Sequence, residues 1–397
     1  MTYLEMATTG QVFMWLPLIL YFINKYIQTR KIRYITGIAM AFYSCMTAGF
    51  FQPALYVLLI STSYLFWHLF LVKEINNDDS TSKKLKQAAI VLTGMFIGIS
   101  SSALQLLPTW ELLTNSIRTV DHNITEYNYG LLPWYHLVTF FAPDFLGNPA
   151  TYNFWGAVGY QESSGYFSIV FLPLLCLLCF KSYRSIQNWF WLGWLIISVS
   201  LAFENPFSKL IYVWEIPGIS TGYASRWLLI TATAAVVLGS RILVQPLNLK
   251  KLVLSTIFIS FVFGSLSIFI FYFEYDFTTW AAISNWSPKM ITSIRNSVIP
   301  VGILLLCLGT FSLIRKQNIV LWLLLLFVSL DLFRYATKFT PFSPIKLLEI
   351  NVPVINYLKN NSPPFRIEHV KGPILPSNTW MYANLLSPSG YDPLIYL

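Results

Sequence analysis

The sequence predicts an all-α, polytopic membrane protein of about ten transmembrane helices, with one long loop after the fourth and a soluble segment after the tenth. Three observations predict it. Hydrophobic residues make up 55% of the chain and charged residues 11%, with a mean hydropathy of +0.58; a soluble domain carries about 25% charged residues. The apolar residues gather in runs that approach the ~20 residues needed to cross a bilayer. The connections between these runs alternate in charge, as a fixed membrane orientation requires.

The runs, in order, are 12–27, 32–50, 53–72, 87–107, 166–180, 188–203, 226–244, 252–273, 297–314 and 318–333. The first, fifth, sixth and tenth are the short ones. Every second connection is basic, holding Lys25, Arg30, Lys31 and Arg33, then Lys73, Lys83, Lys84 and Lys86, then Lys181 and Arg184, then Arg241, Lys250 and Lys251, and last Arg315 and Lys316. The intervening connections hold only Arg118, Lys209, Arg226, Lys289 and Arg295, beside nine acids from Glu111 to Asp276. The basic side is therefore read as cytoplasmic and the other as exofacial. The net charge of +9 does not point to nucleic acid, because the basic residues are scattered through short loops instead of covering one soluble face.

This alternation leaves Met1 outside, with no basic n-region and no cleavage pattern before the first run. It also divides the chain into a transmembrane domain, 1–333, and the start of an exofacial domain, 334–397, which holds nine prolines, too many for one helix. Segments such as Phe365 to Val370 read there as short strands, so the tail is expected to be β-rich. The four cysteines, Cys45, Cys176, Cys179 and Cys307, lie inside apolar runs. Packing suits them better than disulfides or a metal site.

The exofacial loop 108–165 concentrates acids, His and aromatics in an otherwise apolar chain. Asp144, between Pro143 and Gly147, sits in a turn near the membrane, where partial desolvation moves a carboxylate towards general-base duty; an Asp capping its own turn is the plainer reading. Glu162, with Gln161 and two serines before the fifth run, suits either substrate contact or a helix cap. Arg226, at the mouth of the seventh run, suits bidentate capture of a phosphate, with snorkelling to ordinary lipid as the alternative. Trp155 and Tyr160 suit stacking on sugar rings, although an interfacial aromatic belt predicts much the same set. His136 is either an acid/base group or a locally bonded side chain. Asp331 and Arg334 are read as an i,i+3 structural pair, and the Asp78-Asp79 doublet as a solvated charge run.

Several strings, taken in order along the chain, resemble the bacterial YfhO-type membrane proteins of the broad GT-C glycosyltransferase superfamily. They are Gly49-Phe50-Phe51-Gln52-Pro53; Gln105-Leu106-Leu107-Pro108-Thr109-Trp110-Glu111 with Arg118; Pro143-Asp144-Phe145-Leu146-Gly147-Asn148-Pro149; Trp155-Gly156 and Tyr160-Gln161-Glu162; Ala224-Ser225-Arg226-Trp227; Asp331-Leu332-Phe333-Arg334-Tyr335; and Gly390-Tyr391-Asp392-Pro393-Leu394. The resemblance implies a bacterial cytoplasmic-membrane enzyme that transfers a sugar from a polyprenyl-phosphate donor to a cell-envelope glycopolymer or protein on the outer face. Arg226 would hold the leaving phosphate, alone or with a divalent metal ion. His136, Trp155, Tyr160, Gln161, Glu111 and Arg118 would line the substrate, and Asp144 or Glu162 would be the carboxylate in reach. A transporter or flippase of a lipid-linked precursor, or a non-catalytic scaffold, are the competing expectations. In GT-C enzymes the principal carboxylate lies in the first exofacial loop, for which the opening residues offer only Glu5, so the chain is expected to be the middle of a longer protein.

Overall fold

The structure, a computed structural model, describes residues 8–72, 80–115, 130–157, 159–214, 222–274, 288–337, 353–361, 366–367 and 384–386. These residues are overwhelmingly helical, and no strand occurs among them. The helices are α1 (Thr8–Phe13), α2 (Leu16–Thr29), α3 (Arg33–Thr47), α4 (Phe51–Phe70), α5 (Thr81–Ser101), α6 (Ala103–Thr114), α7 (Phe171–Cys176), α8 (Ile186–Ala202), α9 (Pro206–Val213), α10 (Leu228–Leu243), α11 (Leu249–Glu274), α12 (Pro288–Leu313), α13 (Gln317–Thr337) and α14 (Pro353–Asn361).

Local sequence sets many of their ends. Ser80 caps α5 by accepting from the Lys83 N–H, and Ser185 caps α8 by accepting from the Asn188 N–H. Asn205 and Ser208 form a reciprocal capping box at α9, with Pro206 in the first turn. Arg30 closes α2 in the left-handed conformation, φ 59°.

Helical elements fall on all ten apolar runs, but fewer than ten are long and apolar enough to cross a membrane. Five qualify among the described residues: Phe51–Phe70, Ala224–Leu243, Leu249–Phe273, Pro288–Leu313 and Gln317–Thr337. The pair Thr81–Ser101 and Ala103–Leu112, bent by 65° at Ser102, makes a sixth if counted as one broken span. The largest departure from expectation is 166–180. Ser168 takes φ +79°, and the backbone extends again at Phe180, so the run yields six α-helical residues and 3-10 turns in place of a full span.

The chain divides into two compact units, Met1–Leu106 with Thr125–Thr340, and Leu107–Ile124 with Pro341–Leu397. In the first, α3 packs on α5, α8 on α10, and α11 on α12. Close approach of α3 and α5 needs a glycine: a Cβ on Gly98 would fall 2.3 Å from the Ala39 carbonyl oxygen. Hydroxyls and an indole link the neighbouring helices, with Ser198 bonded to Thr231 at 2.8 Å and Trp194 donating to Ser63 at 3.1 Å. Phe261, Ile268, Val298, Leu305, Trp322 and Phe333 project outward from α11, α12 and α13. Such a surface suits acyl chains and not water.

In the second unit the described tail consists of α14 and an isolated parallel bridge between Arg366 and Leu386, with Ile355 and Leu385 at the centre of a small apolar cluster. The expected β-rich domain is thus represented by one bridge beside a helix. Most of the strand expected at 365–370 lies outside the described residues, as do Arg118 and the Asp78-Asp79 doublet.

Candidate functional site

The turn Tyr160-Gln161-Glu162-Ser163 carries the chemistry of the loop in two directions. It is closed by the Ser163 N–H on the Gly159 carbonyl and by the Ser163 hydroxyl on the Tyr160 carbonyl. Tyr160 turns inward, Glu162 turns towards Arg226, and Gln161 is exposed.

Arg226 lies in the 3-10 turn Ala224–Trp227 that leads into α10. Its Nε donates to one Glu162 oxygen at 3.0 Å and its Nη2 to the other at 2.8 Å, a bidentate pair whose side chains are 14% and 15% exposed. Nη1 donates to Gln52 Oε1 at 2.7 Å. Gln52 is itself tethered, donating from Nε2 to the Tyr56 hydroxyl at 2.8 Å and the Tyr223 carbonyl at 3.1 Å. The rings of Phe50 and Tyr223 lie 4.8 and 5.3 Å from the guanidinium carbon. Arg226 is therefore clamped on Glu162 instead of snorkelling freely.

Asp144 is buried, at 2% exposure. Its turn forms through the Gly147 N–H on the Asp144 carbonyl at 2.9 Å, with Gly147 at φ +84°. A Cβ there would fall 2.0 Å from the Asn153 carbonyl, so both the conformation and the packing call for glycine. The carboxylate accepts from the Asn148 amide at 3.0 Å and the Tyr160 hydroxyl at 2.7 Å, and the Asp144 carbonyl accepts from Asn296 on α12 at 2.6 Å. The side chain thus fixes Tyr160, a residue distant in sequence, where the plainer sequence reading had it capping its own turn. Burial and the neighbouring Asp144 carboxylate raise the Tyr160 phenol far above its usual range, so it remains a donor.

A second carboxylate hub sits at the end of α13. Asp331 accepts from the Tyr166 hydroxyl at 2.5 Å and the Ser168 hydroxyl at 2.7 Å, and pairs with Arg334 at 3.4 Å. The i,i+3 pair is present as read. What sequence reasoning missed is that Asp331 also anchors the segment before α7. Tyr335, one turn on, bonds the Ser164 hydroxyl and packs edge-on against Tyr166 at 5.5 Å. A small hollow lies between these groups, lined by Thr139, Pro143, Phe154, Tyr160 and Tyr335.

His136 is fully buried in the 3-10 helix Trp134–Phe140, and its Nε2 accepts from the Ala157 N–H at 3.3 Å. Burial pushes its pKa down to about 4 from 6.5. The folded protein keeps this ring neutral while the unfolded chain takes up a proton near pH 6.5, so stability present above 6.5 is lost as the pH falls towards about 4. Thermal aggregation curves across that window should show the decline, and His136→Gln, which keeps an acceptor for Ala157, should flatten it.

Trp155 stacks on Tyr135 at 6.3 Å and lies under the Lys289 ammonium at 5.4 Å. Glu111 is exposed on α6. Sequence reasoning quoted Gln52, Asn148 and Tyr335 within the strings that carry the resemblance but gave them no role, and it passed over Asn296. Gln52, Asn296 and Tyr335 share one signal, a polar side chain at the end of an apolar run, weak because it carries no charge.

Among the described residues no group of three or more His, Cys, Asp or Glu is placed to hold a metal ion. Asp144 and Glu162 are each taken up by protein donors, which does not suit a resident divalent ion. No curated protein and no solved structure matches the chain. Residues 3–343, more than half of the sequence, match the family described as bacterial membrane protein YfhO. The membrane-suited helices, the polar end that joins them and this match lead to one conclusion: the chain belongs to the YfhO family of bacterial membrane proteins.

Proposed function

We propose that this chain is the membrane-embedded part of a GT-C-type glycosyltransferase that moves a sugar from a polyprenyl-phosphate donor to a cell-envelope glycopolymer or protein. The observation that carries the reading is the state of Arg226. Three of its five N–H groups are bonded to Glu162 and Gln52, and among the described residues two have no partner, in a guanidinium already oriented between two rings. A preset, partly desolvated fork of this kind is suited to a phosphate whose charge grows during reaction.

In this reading the acceptor hydroxyl oxygen attacks the anomeric carbon, and the bond from that carbon to the phosphate oxygen breaks. The electron pair leaves on the phosphate, against Arg226, and the hydroxyl proton passes to a carboxylate. Trp155 offers an aromatic face, the buried His136 holds the Ala157 N–H of the same loop, Gln161 contributes an exposed polar edge, and Asp144 holds Tyr160 in place. The topology proposed with it follows the charge alternation of the connections, which sets each connection on one face of the cytoplasmic membrane, with 166–180 too short in helix to be a full span. Residues 1–333 form the transmembrane domain with loop 108–165 outside, and 334–397 lie on the exofacial side.

Membranes containing the full reading frame, supplied with radiolabelled polyprenyl-phosphate sugars, should transfer label to an envelope fraction. No transfer with several donor sugars would overturn the proposal. Movement of the intact labelled lipid between leaflets, without transfer, would replace it with a flippase.

A further inference from the structure

Resting on the reading of Arg226 as a phosphate-holding residue, we infer that Glu162 is an internal competitor that keeps the Nε–Nη2 edge of Arg226 closed to monoanionic phosphodiesters, the intact polyprenyl-phosphate sugar included, and yields that edge to dianionic phosphates. The sites to be distinguished are the headgroups of bulk phospholipid, which carry one negative charge on a diester, and a phosphate monoester or diphosphate, which carries close to two at neutral pH.

The geometry contains each part of such a device. Glu162 occupies the Nε–Nη2 edge of the guanidinium, at 3.0 and 2.8 Å, the edge that would otherwise receive two phosphate oxygens side by side. A diester offers that edge the single charge that the carboxylate already supplies, and it lacks the advantage of being tethered nearby. A dianion offers twice the charge and wins the exchange. Arg226 does not depend on Glu162 for its orientation, because Gln52 holds Nη1 and is fixed in turn by Tyr56 and Tyr223, with Phe50 and Tyr223 flanking the cation. Glu162 sits in a short turn next to the exposed Gln161. The device also fits the proposed chemistry. A phosphate that leaves a sugar gains its second charge as the bond breaks, so Arg226 would be most fully engaged at that stage.

The test is binding by the purified full chain in nanodiscs, which needs no sugar transfer. Phenyl phosphate is the soluble dianion and pyrophosphate a more highly charged probe, with diethyl phosphate the soluble monoanion; polyprenyl phosphate and phosphatidylglycerol in the disc are the lipid dianion and monoanion. The native protein should prefer dianions in both sets. Glu162→Gln should bind diethyl phosphate or phosphatidylglycerol about tenfold more tightly and lose much of the preference. If Glu162→Gln weakens every phosphate, Glu162 is a support for Arg226 and the inference falls, while the phosphate reading stands. If Arg226→Lys leaves all binding unchanged, the phosphate reading falls with it. A second measurement uses the native side chain: pyrophosphate should raise carboxyl-directed labelling of Glu162, read by mass spectrometry. Protection or no change would overturn the displacement. Preference confined to the lipid arm would identify a lipid phosphate as the ligand; preference in the soluble arm alone would identify a free phosphate.

Discussion

Arg226→Lys is expected to lower sugar transfer by about two to three orders of magnitude, the loss seen when one preorganised electrostatic donor is removed from a reacting oxyanion. Lysine keeps the charge and loses the fork. An ammonium reaches one oxygen at a time, and it cannot hold Gln52 on one edge while presenting another to a phosphate. The decrease should appear in kcat/KM for the labelled donor, with a protein that still runs as a single species in detergent. Lys209 provides the control. It pairs with Glu204 at 2.6 Å at the start of α9, with side chains 60% and 49% exposed, and Lys209→Ala should leave transfer unchanged. An equal loss at both positions would mean that general surface charge, not the Arg226 fork, carries the effect.

Asp331→Leu is expected to have the largest effect on stability, about 3 kcal/mol or more. The buried carboxylate receives Tyr166 and Ser168 and pairs with Arg334, so its removal strands three donors at once. Arg334 is 21% exposed and recovers part of the loss by turning to solvent. Adding Arg334→Leu to Asp331→Leu should therefore return some stability, since a pair with both partners removed costs less than a pair broken on one side. The fraction of protein that stays monodisperse after heating reads this directly. A double variant that is less stable than Asp331→Leu would place the weight on Arg334 and not on the hub.

The helical, membrane-suited character was legible because it rests on composition and run length, which need no tertiary information. Run length did not reveal where a helix fails. The segment 166–180 is as apolar as its neighbours, yet it becomes α7 and 3-10 turns because the left-handed Ser168 and the hydroxyl tethers of Tyr166 and Ser168 to Asp331 hold its first part away from helix. Gln52, Glu162, Arg226, Asn296 and Asp331 come from connections, or run ends, of one parity, and hydrogen bonds join members of that set to one another or to its loops. On the other parity Tyr183 donates to the Pro246 carbonyl, Lys251 to Ser182, and Gln317 to the Gln245 carbonyl. Glu162 and Arg226 were both legible as candidates, but their pairing across 64 residues was not. Nothing local to either residue announces the partner. Gln52 is the harder case, for an uncharged amide at the start of α4 reads as incidental until the guanidinium it holds is seen.

The functional reading depends on which side of the membrane the polar end faces, because an outer site must draw on a lipid-linked donor while an inner one has access to nucleotide sugars. Cysteines placed one at a time at Gln161, exposed in the Glu162 turn, and at Lys316, between α12 and α13, test this in a chain whose four native cysteines are replaced by alanine. A membrane-impermeant thiol reagent applied to intact cells should label position 161 at once and position 316 only after the membrane is opened. Labelling of position 316 in intact cells, with position 161 protected, would contradict the account.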